Sequence, residues 1–266
     1  GNVRYDEGDV AGALAHYSAA LSVEDYADAW ANRAEAWWDF RMDDSCVADA
    51  GEALRLDPQF PYANEIMGRC LTELGREEEA LGYFDTAISL APDYQNAYRN
   101  KMAALAALDR HEEVVATADL ALAPGRVPNP NPAIEEDILS RRLLALAKYA
   151  TPAELAKESE ALLARYPDSL AAVNIKARAL LAEGKGAEAD TITATLRQNP
   201  NGQPMQAIYH DTLAQIDMAM GRLEEAFANY QAALDLDASL SKTYARKLSG
   251  LGFLPLSNAP EGVMTA

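Results

Sequence analysis

Small residues, aromatic residues and prolines recur along this 266-residue chain at an interval of about 34 positions. A fixed period of this length indicates a repeat array, in which each unit is too small to bury its own apolar face and shares a core with its neighbours. The fullest copy contains Gly68, Gly75, Ala80, Phe84, Ala87 and Pro92; earlier equivalents are Ala34, Ala50, Ala53 and Pro58, and further glycine and alanine pairs are Gly8/Ala13, Gly184/Ala189 and Gly221/Ala226.

Apolar residues within each copy have helical spacing. Gly68, Ala80 and Ala87 carry almost no side chain, so two helices can approach closely while Phe84 fills the space beside them. Each unit is therefore predicted to be a pair of antiparallel helices. The two apolar stripes of the fullest copy are Ile66, Met67, Cys70, Leu71 and Leu74, then Ala80, Leu81, Phe84, Ala87 and Ile88.

This pattern resembles the tetratricopeptide repeat family. The resemblance implies an all-α fold, a right-handed superhelical solenoid of about seven antiparallel helix pairs, with the first helix of each pair on the inner, concave wall. Residues 1–249 are expected to form one elongated domain, followed by an irregular tail at 250–266. The predicted units are 1–26, 27–60, 61–94, 95–135, 136–169, 170–206 and 207–240, with a capping helix at 241–249.

The repeat register slips once in the middle of the chain. Residues 124–132 hold four prolines and a glycine, which cannot continue a helix, and this segment is predicted to be an insertion. A short extra loop is expected at 199–204. Gly8 occupies the turn position of the first unit, which leaves its first helix about a turn and a half long, so the chain is expected to be a fragment or a processed form.

Composition limits the class of partner. Lys and Arg total 23 against 41 Asp and Glu, a net charge of −18, whereas binding to a phosphate backbone requires a basic surface. Nucleic acid is therefore excluded as an expected partner.

Apolar runs such as Leu143 to Ala147 are far shorter than the roughly 20 residues that span a bilayer, so no transmembrane segment is predicted. The start of the chain lacks the pattern of a secretion signal. The compartment stays open between the cytoplasm and, if a signal was removed, the periplasm.

Two cysteines, Cys46 and Cys70, fall on inward helix positions. Free cysteine commonly behaves as a small apolar residue at such positions, and this interpretation is favoured. The alternative is a disulfide between neighbouring repeats.

Catalytic, metal-binding and cofactor-binding patterns are not found, so the chain is not expected to be an enzyme and no catalytic residue, metal or cofactor is predicted. His16, His111 and His210 have solvated or structural places in the repeat register. The acidic runs at 77–79 and 224–225 begin second helices, where acidic side chains favour the helix dipole.

The resemblance also assigns residues to the inner wall, and these collect arginine and asparagine although the chain is acidic. Arginine suits carboxylates, and asparagine can hold both the N–H and the C=O of an extended backbone. The prediction is a groove for an extended acidic peptide or a free C-terminus. The alternative is that the arginines pair with neighbouring acids such as Glu65, Glu73 and Asp137. The predicted groove residues are Asn32, Trp38, Tyr62, Arg69, Asn96, Arg99, Asn100, Arg141, Lys148, Asn174 and Arg178.

One branch of the family holds the C-terminal carboxylate of chaperone tails with a clamp of Lys and Asn in one unit, Asn in the next, and Lys and Arg in the third. Asn100 and Arg141 match the last asparagine and the arginine. Glu65 and Arg69 replace the first Lys and Asn, and Asp137 replaces the second Lys. Because the clamp is incomplete, chaperone-tail binding is not predicted.

Three functions are expected in order of preference. The first is a non-catalytic protein–protein interaction scaffold or adaptor that binds an extended acidic peptide. The second is an interaction or targeting domain of a larger bacterial cell-envelope protein or enzyme. The third is a self-assembling repeat protein, which makes a homo-oligomer an open alternative. The second receives support from a faint resemblance to the start of a peptidoglycan-binding helical module, carried by Leu248, Leu251, Gly252, Phe253, Gly262, Thr265 and Ala266.

Overall fold

The computed structural model describes residues 9–198 and 207–237, and this part of the chain contains fourteen helices and no strand. The all-α helical repeat fold is confirmed. Several predicted segments lie outside the described residues: the start of the first predicted repeat, the loop at 199–204, the capping helix at 241–249 and the tail at 250–266. Where the sequence suggests one domain, the contacts group the chain into two compact units, residues 1–148 and 149–266, and each is described by itself.

The first unit is built from consecutive helix pairs. Its helices are α1 (Val10–Leu21), α2 (Ala27–Asp39), α3 (Asp43–Leu56), α4 (Pro61–Glu73), α5 (Glu77–Leu90), α6 (Gln95–Ala107), α7 (His111–Ala121) and α8 (Pro132–Leu146). Helices α2 and α3, α4 and α5, and α6 and α7 pack on one another, and α8 follows. The first helices also touch in series, α2 on α4, α4 on α6 and α6 on α8, so they form a continuous surface that we call the first-helix wall.

Close approach within a pair depends on small residues, as the spacing predicts. A Cβ added at Gly68 would lie 2.5 Å from Cε1 of Phe84, whose side chain is fully buried. The turn between the paired helices requires a left-handed backbone, and Gly75 supplies it with φ of 69°. Arg41 and Asp109 occupy the equivalent turns with φ of 57° and 56°, although neither is a glycine.

A disulfide links two successive helix pairs of the first unit. Cys46 on α3 and Cys70 on α4 are both fully buried, as expected for inward positions, and their Cα atoms are 5.8 Å apart. The favoured interpretation of free buried thiols is therefore wrong. The helical register brings two inward side chains of adjacent helices face to face, and sequence spacing alone could not determine this.

The proline-rich insertion contains no helix before Pro132, and it packs against the start of α6. Nε of Arg126 donates to the Tyr98 hydroxyl at 2.7 Å, and that hydroxyl donates to the carbonyl of Pro92 at 2.8 Å. Helix α8 then begins at Pro132, where a missing backbone N–H costs nothing, and the Asn131 side chain accepts hydrogen bonds from the first turn.

The second unit has its own core. Its helices are α9 (Pro152–Arg165), α10 (Leu170–Ala182), α11 (Gly186–Ile192), α12 (Ala194–Gln198), α13 (Ala207–Ala219) and α14 (Leu223–Leu236). Helix α9 starts with a capping box between Thr151 and Glu154, and the second helix of the following pair breaks into α11 and α12 at the buried Thr193. Asp217 is fully buried and accepts hydrogen bonds from Arg197 at 2.6 Å and Arg222 at 2.9 Å.

Candidate functional site

The first-helix wall carries most of the predicted groove residues. Two of the others, Asn174 and Arg178, lie on α10 of the second unit, and Lys148 follows the end of α8. On the wall itself, α2 carries Asn32 and Trp38, α4 carries Tyr62 and Arg69, α6 carries Asn96, Arg99 and Asn100, and α8 carries Arg141.

Arg69 lies in a network of acids that joins the wall helices. Its Nη1 atom is 3.1 Å from Oε1 of Glu35, and its Nε atom is 3.8 Å from Oε1 of Glu65. Glu35 also accepts a hydrogen bond from the Tyr62 hydroxyl. The Arg69 guanidinium stacks on the ring of Trp38, with Cζ 4.0 Å from the ring centroid. Arg69 is therefore held by neighbouring side chains.

Glu65 is the buried centre of this network, with 1% of its surface exposed. It accepts hydrogen bonds from Nδ2 of Asn100 and from the Tyr94 hydroxyl. Burial raises the pKa of the Glu65 carboxyl, while Arg69 and the two hydrogen bonds act in the opposite direction. Burial also raises the pKa of Tyr94, with the nearby Glu65 charge adding to the effect. The Tyr94 phenol therefore stays a hydrogen-bond donor at neutral pH.

The wall arginines have two kinds of surroundings. Arg69 pairs with Glu35 and Glu65, and Nε of Arg141 pairs with Oδ2 of Asp137 at 2.8 Å, as the ion-pair alternative expects. Arg99 differs. It is half-buried on α6, and within the described part of the chain it makes no hydrogen bond or ion pair. Among the predicted groove arginines on this wall, Arg99 is therefore the one without an acid partner in the described chain.

Polar side chains without partners accompany Arg99. Asn32 on α2 and Asn96 on α6 are half-buried, and neither has a hydrogen-bond partner among the residues that the structure describes. Their amides can donate to and accept from a peptide backbone.

The predicted groove residues outside the wall differ in exposure. Lys148 and Arg178 are exposed. Asn174 is fully buried, and both polar atoms of its amide lack partners in the described chain. This burial contradicts the expectation that Asn174 faces an open groove.

A cleft of about 150 Å³ opens on the wall beside Arg99. Its apolar part is formed by Trp38, Phe84 and Ala103. The indole Nε1 of Trp38 is buried and has no acceptor among the described residues. The remaining lining comes from Arg69, Thr72, Glu73, Arg99 and Asn100.

The sequence prediction missed four of these lining residues, Thr72, Glu73, Phe84 and Ala103. A signal for two of them was present, because Thr72 and Ala103 lie one repeat beyond Trp38 and Arg69. Thr72 and Ala103 have shorter side chains than Trp38 and Arg69, and the cleft opens beside them. Phe84 was recognised only as a core residue.

Other chemistry is not assembled in the described residues. No group of three His, Cys, Asp or Glu side chains there is arranged to hold a metal ion. His210 is half-buried, with Nδ1 3.0 Å from Oδ1 of Asn229. No helix of the described chain combines the length and apolar character that crossing a bilayer requires.

Comparison with protein-family models identifies the type of repeat. Tetratricopeptide repeat models match residues 47–95 in the first unit and 208–240 in the second. The chain therefore contains tetratricopeptide repeats. Neither match covers the C-terminal residues that resemble a peptidoglycan-binding module, and those residues also lie outside the described structure.

Solved structures share the tetratricopeptide fold. The chain is similar to Pseudomonas aeruginosa PilF, with a TM-score of 0.67 and 15% identity over 84% of this chain and 97% of that one. It is also similar to PilW, a type IV pilus biogenesis factor, with a TM-score of 0.64 and 21% identity over 84% and 98%. A third similar structure is a tetratricopeptide repeat protein from Parabacteroides merdae, with a TM-score of 0.61 and 17% identity over 94% of each chain. A search of curated protein sequences finds no significant match. At these identities the likenesses concern the fold alone.

Proposed function

We propose that the first-helix wall of this tetratricopeptide protein binds an extended acidic segment of a partner protein. The repeat fold indicates a protein–protein interaction scaffold, and repeats of this kind are typically non-catalytic. We infer the acidic character of the bound segment from the side chains of the wall.

One observation carries the proposal, namely the unpaired Arg99 guanidinium on the wall. A half-buried arginine that pairs with no acid has hydrogen-bond donors in a fixed fork that matches a carboxylate. Asn32 and Asn96 on the same wall offer amides to the peptide backbone. Arg69 and Arg141 contribute less because acids of the chain already hold them.

Binding of labelled decapeptides tests the proposal. The probes have a Gly-Ser background with either two aspartates or two asparagines, and fluorescence anisotropy reports their affinity. A charged hydrogen bond contributes about 1.5–3 kcal/mol, so Arg99→Glu should weaken binding of the aspartate peptide by about tenfold or more. Arg141→Glu should have a smaller effect because Arg141 already pairs with Asp137.

Lys157→Glu is the matched control, since it makes the same charge change at an exposed lysine on α9. It should leave the affinity unchanged. Equal binding of the aspartate peptide by wild type and Arg99→Glu, or no binding of any peptide by wild type, would contradict the proposal.

A second candidate function, a domain of a cell-envelope protein, has support from the disulfide between Cys46 and Cys70. Structural disulfides persist in oxidising compartments and are rare in the cytosol. Alkylation of the protein taken directly from its native cells, without reductant, should leave both cysteines unmodified in the mass spectrum. Two alkylated cysteines would contradict this location.

A further inference from the structure

The cleft beside Arg99 combines an apolar lining with hydrogen-bond donors. Trp38, Phe84 and Ala103 form the apolar part, and Arg99 lies at its side. A charged group alone would leave this apolar surface in contact with water. An occupant that complements the whole cleft therefore has an apolar portion and an accepting group close together.

The size of the cleft limits the apolar portion. Its volume is about 150 Å³, comparable to cavities that accept a benzene molecule. One large apolar side chain, of the size of leucine, fits such a space. A peptide that carries only small residues beside its acid leaves the cleft unfilled.

The polar side of the cleft determines the second portion. Arg99 has no acid partner among the described residues, and the buried indole N–H of Trp38 has no acceptor there. Arg69 is the other cation of the lining, but it already pairs with Glu35. The indole N–H of Trp38 is too buried to reach an occupant, and Glu73, the acid of the lining, already pairs with Arg41. The donor left for an occupant is the Arg99 guanidinium, which favours a carboxylate.

Extended backbone geometry sets the spacing of the two portions. Successive side chains of an extended segment point to opposite faces, and residues two apart lie on the same face at about 6.6–7 Å. Arg99 itself lines the cleft, so the apolar side chain and the acidic side chain must lie on the same face of the segment. A separation of two positions places them there, about 6.6–7 Å apart.

We propose that the cleft recognises a two-part anchor, a large apolar residue and an acidic residue two positions apart in an extended segment. This inference rests on the proposed function and specifies the part of the partner that gives affinity. It predicts selectivity that an unpaired cation alone would not produce.

Decapeptides in a Gly-Ser background test the anchor. The test probes hold Leu and Asp two positions apart, in either order. The comparison probes hold the two residues at adjacent positions, or keep the spacing and replace Leu by Ala or Asp by Asn. For at least one order, the spaced pair should bind tenfold or more tightly than each single replacement and than the adjacent pair. Ala103→Trp, which fills the cleft, should abolish the advantage of Leu over Ala.

Ala106→Trp is the matched control because Ala106 is an exposed position on the same helix. It should retain the advantage. If Ala103→Trp does not fold by circular dichroism, Ala103→Leu takes its place, and the peptide replacements themselves need no protein variant. Aspartate peptides that bind equally well with Ala or Leu would overturn the anchor and leave the proposed function standing. Absence of binding by every aspartate peptide would overturn both.

Discussion

Two helical glycines in adjacent helices have opposite surroundings. A Cβ at Gly68 would lie 2.5 Å from the buried Phe84 ring, whereas a Cβ at Gly82 has no heavy atom within 4 Å. Gly68→Ala should lower the free energy of unfolding, because overpacking costs about 1–3 kcal/mol and exceeds the gain in helix propensity. Gly82→Ala should raise it by about 0.5–1 kcal/mol.

Urea unfolding followed by tryptophan fluorescence measures both variants. All three tryptophans, Trp30, Trp37 and Trp38, lie on α2, so the signal reports the first unit. Equal effects of the two substitutions would show that close approach at Gly68 does not limit the packing.

Glu65 should make the first unit less stable as the pH rises. An unfolded glutamate titrates near 4.5, and burial raises the folded pKa of Glu65, so the folded state holds this proton more tightly. The resulting stability is fully present below pH 4.5 and is lost as the pH rises through the folded pKa. Glu65→Gln should therefore become more stable relative to wild type as the pH increases from 4 to 8.

The comparison uses tryptophan-monitored urea unfolding at each pH. Asp190, whose pKa is lowered mainly by its hydrogen bond from Arg222, contributes in the opposite direction, but it is present in both proteins and cancels from the difference. A difference that stays constant with pH would contradict the assignment.

Residue chemistry explains why the sequence predicted some positions and missed others. The turn glycine at 75 marks a left-handed backbone, and counting by 34 leads to Arg41 and Asp109, which adopt the same conformation without being glycine. A search for glycine alone passes over both turns. The ion-pair alternative named Glu65 among the acids, but it did not name Glu35 as a partner of Arg69, because a wall position shows which way a side chain faces and not which acid of the adjacent helix reaches it.

At the scale of elements, the disulfide fastens α3 to α4. Its cysteines are 24 positions apart, and closing a loop of that length in the unfolded chain contributes about 3 kcal/mol. The double variant Cys46→Ala with Cys70→Ala should lower the unfolding free energy of the first unit by about 2–5 kcal/mol, including the lost packing.

Unfolding with and without reductant separates the causes. Reductant should destabilise wild type and leave the double variant unchanged. If reductant changes neither protein, the two cysteines do not form a stable disulfide in solution.

Helix boundaries follow the local chemistry that the sequence displays. The proline-rich segment interrupts the helices, and α8 begins at Pro132 behind the Asn131 cap. The break between α11 and α12 was not predicted. Thr193 lies at this break, where its buried hydroxyl donates to the carbonyl of Ala189 at 3.0 Å, and no proline or glycine marks the position.

At the scale of the molecule, each of the two units has a buried core of its own. Asp217 supports the second unit by accepting hydrogen bonds from Arg197, Arg222 and Asn229. Asp217→Asn should destabilise that unit by about 1.5–3 kcal/mol, because it removes the buried charge that accepts hydrogen bonds from two partly exposed arginines. The tryptophan transition of the first unit should not move, whereas part of the helical circular dichroism signal should be lost at lower urea.

Asp85→Asn is the control for this substitution, since Asp85 is an exposed acid of the first unit that pairs with Lys101. It should change both transitions by less than 0.5 kcal/mol, the usual range for a surface site. Joint movement of both transitions in Asp217→Asn would show that the units unfold together.

Arg99 also has a consequence for the rates of binding. An acidic segment approaching the protein meets the field of a chain with net charge −18 before it reaches this one guanidinium. Added salt screens the long-range repulsion, with a decay length of about 8 Å at 0.15 M, and acts less on the partly buried contact. Association with an acidic segment should therefore become faster as salt increases, the reverse of a basic groove. Selectivity would then reside in how slowly the correct segment leaves.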